Sequence, residues 1–308
     1  MYRSHLIHFE AIYTIIALFI SESRIVMMML PEQKLYCHRQ IACRFLHSPV
    51  KNELLILTIP GGPCLSGHYL DPFLSKLAAH LNANVGIIDL PNHGNSVLTP
   101  NSLPLTYQRC LEMIITTLSE ISEECDNVAL FGQSFGARLA FDLMTATDVN
   151  LAGVLLTGFP AVFQMSDGLM EKIGALDLEG ETILENQEQT FVNNWAKILT
   201  LYTYAPLPSD AFAALTSNLK RDGNEQLLDD VPSIENIAEM LKSKSMSYPV
   251  AVIQGDVDGV VPDNNITKLK AILPSAQFYE FANCGHFPMV EREAETLQVF
   301  SKTLSNVA

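Results

Sequence analysis

Short apolar runs of strand length alternate along this chain with amphipathic stretches of helical period. Leu35–Leu46 has the pattern of a hairpin, and LLILTI at Leu54–Ile59 is the continuous apolar run of a strand buried on both faces. Leu70, Phe73, Leu74, Leu77, Ala78 and Leu81 then fall together on one face of a helix. VGIIDL at Val85–Leu90 predicts another strand. A helix carrying Cys110, Leu111, Ile114, Ile115, Leu118 and Ile121 follows, with Thr106 placed to cap it. NVALF at Asn127–Phe131 runs into a helix with Leu139, Ala140, Leu143 and Met144 on its apolar face. LAGVLLT (Leu151–Thr157), PVAVIQ (Pro249–Gln254) and QFYEF (Gln277–Phe281) predict three more strands, and a helix from about Glu291 bears Leu297, Phe300 and Leu304.

This alternation predicts an α/β fold: a mostly parallel sheet with helices on both faces. Between Phe159 and Tyr248 the alternation stops, and helical stretches holding the only tryptophan, Trp195, run on without a buried strand. Residues 159–248 are therefore expected to form a helical lid, or cap. It is inserted into one core, 31–158 and 249–308, over the carboxyl edge of the sheet, where open α/β sheets place their ligands.

Composition narrows the function. With 308 residues, 48% of them hydrophobic, the chain can bury a large core, which excludes disordered and fibrous classes. The formal charge of −15 repels phosphate backbones and anionic headgroups, so nucleic acid is not an expected partner. Cys37, Cys43, Cys64, Cys110, Cys125 and Cys284 are scattered, with no C-x-x-C pair and no metal-ligand spacing. Neither a disulfide framework nor a metal is expected, and the setting is read as reducing and cytoplasmic.

Residues 1–30 differ from the rest. The apolar run Ala11–Ile20 is half of the ~20 residues that span a bilayer. Arg3 is the one early basic residue, and no small-residue cleavage site follows the run, so neither a membrane span nor a signal peptide is expected. Met27, Met28 and Met29 mark an alternative start, with the preceding residues an extension.

The densest chemistry is Gly132-Gln133-Ser134-Phe135-Gly136, between an apolar strand and an amphipathic helix. Small residues on either side of a serine in a strand-to-helix turn present its hydroxyl at the sheet edge and aim the Phe135 N–H at a developing oxyanion. The hydroxyl needs a base. His286, in Asn283-Cys284-Gly285-His286-Phe287-Pro288, follows the last strand and returns to the same edge. The imidazole in turn needs an anion. Gly255-Asp256-Val257-Asp258-Gly259-Val260-Val261-Pro262 offers two, of which Asp258 is preferred, with Asp256 and Asp167 as alternatives. Pro60-Gly61-Gly62-Pro63 supplies a second oxyanion donor, because its glycines admit close approach and its prolines have no N–H. Gly62 is the choice and Gly61 the alternative. Asp89-Leu90-Pro91-Asn92-His93-Gly94-Asn95-Ser96 reads as a loop that structures itself.

In order, GGP, DLPNHGNS, GQSFG, GDVDGVVP and NCGHFP make the chain from Leu35 to about Val307 resemble the α/β-hydrolase family, with its esterase and proline-iminopeptidase-like branches. The resemblance implies a serine nucleophile at Ser134, an acid at Asp258, a histidine at His286, oxyanion donors at Gly62 and Phe135, and no cofactor. One departure is Pro60, where family members usually carry histidine, so the loop's supporting hydrogen bonds must differ.

The expected activity is a serine hydrolase that cleaves a small-molecule ester or thioester through an acyl-enzyme. A proline-iminopeptidase-like aminopeptidase or amidase is the alternative. It would hold an ammonium with lid acids such as Glu171, Glu179, Glu181, Glu185 and Glu188, which otherwise are solvated helix faces. A non-catalytic ligand-binding member is the alternative of another class. Leu169, Met170, Phe191, Trp195, Leu201, Tyr202 and Phe212 suit either a hydrophobic acyl or aryl group or the packing of the lid onto the body. If Met27–Met29 hold the start, the native protein's N-terminal peptide, read by mass spectrometry, begins there; recovery of residues 1–26 contradicts it.

Overall fold

The computed structural model describes residues 30–98, 104–178, 187–217, 219, 225–243 and 246–305. The expectations for residues 1–29 and for Glu179, Glu181 and Glu185 lie outside the described residues, as does the side chain of Glu188.

The expected hairpin forms from β1 (Glu32–Tyr36) and β2 (Ile41–Phe45), paired antiparallel. β3 (Leu54–Ile59), α1 (Asp71–Leu81), β4 (Asn84–Ile88), α2 (Tyr107–Glu124), β5 (Asn127–Gln133), α3 (Phe135–Ala146) and β6 (Leu151–Thr157) continue the alternation. Next come α4 (Asp167–Gly174), α5 (Gln187–Leu199), α6 (Ser209–Thr216), a 3-10 turn (Glu225–Leu228) and α7 (Ile234–Ser243). The chain then returns to the sheet with β7 (Val250–Gly255), α8 (Asn265–Ile272), β8 (Gln277–Phe281), α9 (Pro288–Glu291) and α10 (Glu293–Leu304). The eight strands lie in the order β1-β2-β4-β3-β5-β6-β7-β8, antiparallel at β1–β2 and β2–β4 and parallel elsewhere.

The period of two inside LLILTI divides it between two cores. Leu55, Leu57 and Ile59 join the core beneath α2, α3 and α8, whereas Leu54 and Ile56 join the one beneath α1 and α10. Thr106 caps α2 as its position predicts, its hydroxyl accepting the Arg109 N–H at 3.2 Å. Between β6 and β7 no strand occurs among the described residues, in keeping with the absence of apolar runs there. No helix among the described residues is long and apolar enough to cross a membrane.

Several strand boundaries differ from the sequence pattern, two of them at the carboxyl edge near the site. β5 continues past Phe131 to Gln133 because Gly132 and Gln133 stay paired with Leu156 and Thr157 of β6. β4 ends at Ile88; the Asp89 N–H still donates to the Ala42 carbonyl of β2 at 2.9 Å, and from Leu90 the chain enters the following loop. α8 fills the connection from β7 to β8, for which the sequence pattern gave no helix.

Strand order sets the site. From β3 the chain goes to β4 on one side and then crosses to β5 on the other, so the loops after β3 and β5 diverge and leave a crevice at their carboxyl ends. Beneath it Phe73 of α1, Phe131 of β5 and Phe300 of α10 pack edge to face, with centroids 4.9–5.9 Å apart. Phe300→Ala should cost about 3–5 kcal/mol of stability, read as a lower urea midpoint at unchanged slope. A midpoint equal to wild type would contradict this placement of the core.

Candidate active site

Ser134 is the single residue between β5 and α3. Its φ of 53° and ψ of −119° lie in a region that side-chain-bearing residues rarely adopt. Hydrogen bonds hold it there: its N–H donates to the Thr157 carbonyl at 2.9 Å, and its carbonyl accepts from Ala137 and Arg138 at 2.9 and 3.1 Å. The flanking glycines make the turn possible by close approach. A Cβ on Gly132 would lie 2.5 Å from Ala137 Cα, and one on Gly136 would lie 2.0 Å from the Ile59 carbonyl oxygen.

His286 follows β8 and is 2% exposed. Its Nε2 lies 2.9 Å from Ser134 Oγ, and its Nδ1 lies 2.9 and 3.0 Å from the two oxygens of Asp258. Asp258 is itself fixed, accepting from Gln254 Nε2 and from the Val260 N–H, each at 3.0 Å. Gly158 backs the imidazole at φ 53°, where a Cβ would stand 3.0 Å from the ring. Imidazole held this way, with a carboxylate on one nitrogen and a hydroxyl on the other, can take the hydroxyl's proton.

The alternative acids are placed elsewhere. Asp256 is exposed and accepts the Cys284 N–H at 3.2 Å, which ties two loops together. Asp167 is exposed in the first turn of α4. The alternative oxyanion glycine is engaged as well, since the Gly61 N–H donates to Tyr69 Oη at 2.8 Å. Gly62 faces the cavity beside Ser134. Phe135 opens α3, where a backbone N–H has no intrahelical acceptor.

The supports of the glycine loop answer the departure at Pro60. Tyr69 holds the Gly61 N–H, and His93 Nε2 accepts the Cys64 N–H at 2.9 Å. His93 Nδ1 lies 2.8 Å from the Pro91 carbonyl, so that nitrogen carries the proton and Nε2 is free to accept. His93 thus structures its loop, as its sequence context implies, and also ties it to the glycine loop.

Glu291 is a contributor that the sequence pattern did not single out. It accepts N–H groups from Gly285 and Phe287, on either side of His286, and from Tyr204 of the segment between β6 and β7, at 2.7–3.2 Å. The His286 N–H donates to the Tyr202 carbonyl at 2.8 Å, a second tie between the histidine loop and that segment.

A cavity of about 320 Å³ opens over Ser134 and His286. Phe191, Trp195 and Tyr202 line it, with Leu65, Met165 and Phe287, and no Asp, Glu, Lys or Arg does so among the described residues. The apolar residues between β6 and β7 are placed in several ways. Leu169, Leu201 and Phe212 join the hydrophobic cluster beneath α1 and α10, as Trp195 and Tyr202 also do, whereas Met170 is 54% exposed. No cluster of His, Cys, Asp and Glu among the described residues could hold a metal ion.

Gly136→Ala should destabilise the protein by more than about 2 kcal/mol, because the added carbon meets a carbonyl that cannot move without separating β3 from α3. Gly174→Ala, at an exposed helical position with nothing within 4 Å, should be neutral or slightly stabilising. Chemical denaturation of both variants checks the contrast, and equal stabilities would contradict it.

Comparison with known proteins supplies the family. The model of the alpha/beta hydrolase family matches residues 56–299. Among solved structures, an esterase from Rhodococcus sp. ECU1013 is similar at TM-score 0.68 and 19% identity, over 91% of this chain and 100% of that one. A meta-cleavage product hydrolase from Pseudomonas fluorescens IP01 is similar at TM-score 0.66 and 17% identity, over 91% and 99%. A thermophilic esterase from Thermogutta terrifontis is similar at TM-score 0.65 and 17% identity, over 90% and 99%. At such identities these likenesses concern the fold. Comparison with curated protein sequences finds no match. The match to the family model extends over most of the chain, from β3 to α10, and on it this chain belongs to the α/β-hydrolase family.

Proposed function

We propose that this hydrolase cleaves a carboxylic ester or thioester in two steps. Ser134 Oγ attacks the carbonyl carbon as its proton passes to His286 Nε2, and the carbonyl oxygen becomes an oxyanion facing the N–H groups of Gly62 and Phe135. Collapse of the tetrahedral intermediate sends that proton to the leaving alcohol or thiol and leaves an acyl-Ser134 ester. Water, deprotonated by His286, then releases the acid. Asp258 keeps the Nδ1–H tautomer and stabilises the imidazolium. The observation that carries this reading is the unbroken chain from Ser134 Oγ through His286 to Asp258, with 2.9 Å at each step.

The strained backbone at Ser134 favours this reading over a non-catalytic binding protein, which has no use for a hydroxyl so presented. The cavity speaks to the substrate. Its aromatic and aliphatic walls suit a neutral acyl or aryl group, whereas an aminopeptidase needs a carboxylate for the free ammonium, and among the described residues none lines the cavity, Glu171 being exposed on α4. We read residues 159–248 as a lid, because Phe191 and Trp195 of α5 and the following Tyr202 supply one wall of that cavity. Six buried thiols, none joined to another, fit a reducing cytoplasmic setting.

The test uses a fluorophosphonate probe, neutral aryl esters and aminoacyl anilides on wild type, Ser134→Ala, Asp258→Asn and Asp256→Asn. Wild type should be labelled and should prefer the esters, and Ser134→Ala should lose both properties. Asp258→Asn should lower kcat on the order of 10³–10⁴-fold, and Asp256→Asn should stay within a few-fold. A folded wild type that takes no label would refute the reading, and preference for the anilides would favour the aminopeptidase.

A further inference from the structure

We propose that Tyr69 and Gln133 are positioning residues that hold the Gly62 N–H at the height of Ser134; this rests on the roles given to Ser134 and Gly62 above. Three polar groups form a one-way relay beneath the glycine loop. The Gly61 N–H donates to Tyr69 Oη at 2.8 Å, Tyr69 Oη–H donates to Gln133 Oε1 at 2.6 Å, and Gln133 Nε2 lies 3.5 Å from the His286 carbonyl.

The chemistry of the partners fixes the direction. Tyr69 has one hydroxyl proton and already accepts from Gly61, so that proton goes to an acceptor, which is the amide oxygen of Gln133. Turning the amide around would set its oxygen against the His286 carbonyl, acceptor against acceptor. Burial pushes the Tyr69 phenol well above its ordinary range, so the hydroxyl keeps its proton at any working pH.

Packing independently confirms that the three groups share one space. Tyr69 is 3% exposed and Gln133 1%. A Cβ on Gly61 would fall 2.0 Å from Gln133 Oε1 and 3.0 Å from Tyr69 Oη, so no other residue fits at position 61 while the relay is in place.

The consequence concerns the next peptide. Gly62 carries its N–H on the peptide plane that follows Gly61, in a loop whose glycines would otherwise turn freely. With the Gly61 N–H held by Tyr69 and the Cys64 N–H held by His93, the Gly62 donor is braced from both sides. Gln133 is also the residue before Ser134, so the relay joins the donor to the nucleophile and, through the His286 carbonyl, to the base. A donor held in advance lowers the barrier because no reorganisation accompanies the appearance of charge. Since the charge develops in the transition state, losing the brace should lower kcat and leave KM unchanged.

Tyr69→Phe, Gln133→Met and the double variant test this, using a neutral aryl ester and an aryl trifluoromethyl ketone, whose hemiketal with Ser134 places an oxyanion at the same donors. Tyr69→Phe should lower kcat about 10- to 100-fold, by analogy with the loss of one oxyanion donor, with KM changed less than about threefold. Affinity for the ketone should fall by the same factor. The pH midpoint of kcat/KM, which reports the base, should stay in place. Gln133→Met should behave alike, and the double variant should be little worse than either, because both break one chain. If Tyr69→Phe does not fold, Gln133→Met carries the same comparison. Folded variants that keep kcat and ketone affinity within twofold overturn the relay, as does a loss confined to KM or a moved pH midpoint. A wild type that neither takes the fluorophosphonate label nor binds the ketone would instead remove the hydrolase reading, so the two failures are distinguishable.

Discussion

A backbone bend at Ser134, φ 53° and ψ −119°, costs on the order of 1–3 kcal/mol and is held in place by three elements at once. β6 accepts the Ser134 N–H, the first turn of α3 donates to its carbonyl, and the end of β3 presses so closely on Gly136 that no side chain fits between them. Relaxing the bend would break those bonds and pull α3 off the sheet. The parallel sheet is therefore the brace that keeps one hydroxyl pointing into the crevice, and the reversal of strand order between β3 and β5 leaves open space for it to face.

The groups around that hydroxyl come from distant parts of the chain, and each is fixed by more than one contact. His286 is tied through its backbone to Tyr202, through its neighbours to Glu291, and through its ring to Asp258. Asp258 in turn accepts from Gln254 and Val260. Because these partners are polar and shielded from water, a broken bond would leave an unpaired group where it is expensive, and the whole arrangement moves as one piece or not at all.

Much of this was legible in the sequence, and the reason is physical. A strand buried on both faces must be apolar throughout, so LLILTI and LAGVLLT announce themselves, and a strand-to-helix turn too tight for side chains must be written with glycines, as GQSFG is. The fold class follows from those two constraints. What stayed hidden is what leaves no local pattern. Tyr69, Gln133 and Glu291 act through polar contacts between loops that no spacing along the chain expresses, and a tyrosine just ahead of a helix looks like any core aromatic until Gly61 is seen beside it. His93 lies in a loop that structures itself, but its bond to Cys64 joins that loop to another, which no spacing within DLPNHGNS expresses. The apolar residues of 159–248 could line a site or pack a lid; three-dimensional placement sends Phe191 to the cavity, Leu169 and Leu201 to the hydrophobic cluster, and Trp195 to both.

In the proposed reaction Ser134 carries the acyl group between the two steps. Mixing the enzyme with an excess of a neutral aryl ester, quenching in acid and mapping the peptides by mass spectrometry tests it directly. One acyl increment is expected, on the peptide holding Gly132 to Gly136 and localised to Ser134, with a burst of aryl alcohol equal to the enzyme present. Turnover of the ester with no adduct on Ser134, or with the acyl group on another residue such as Cys64, would contradict it.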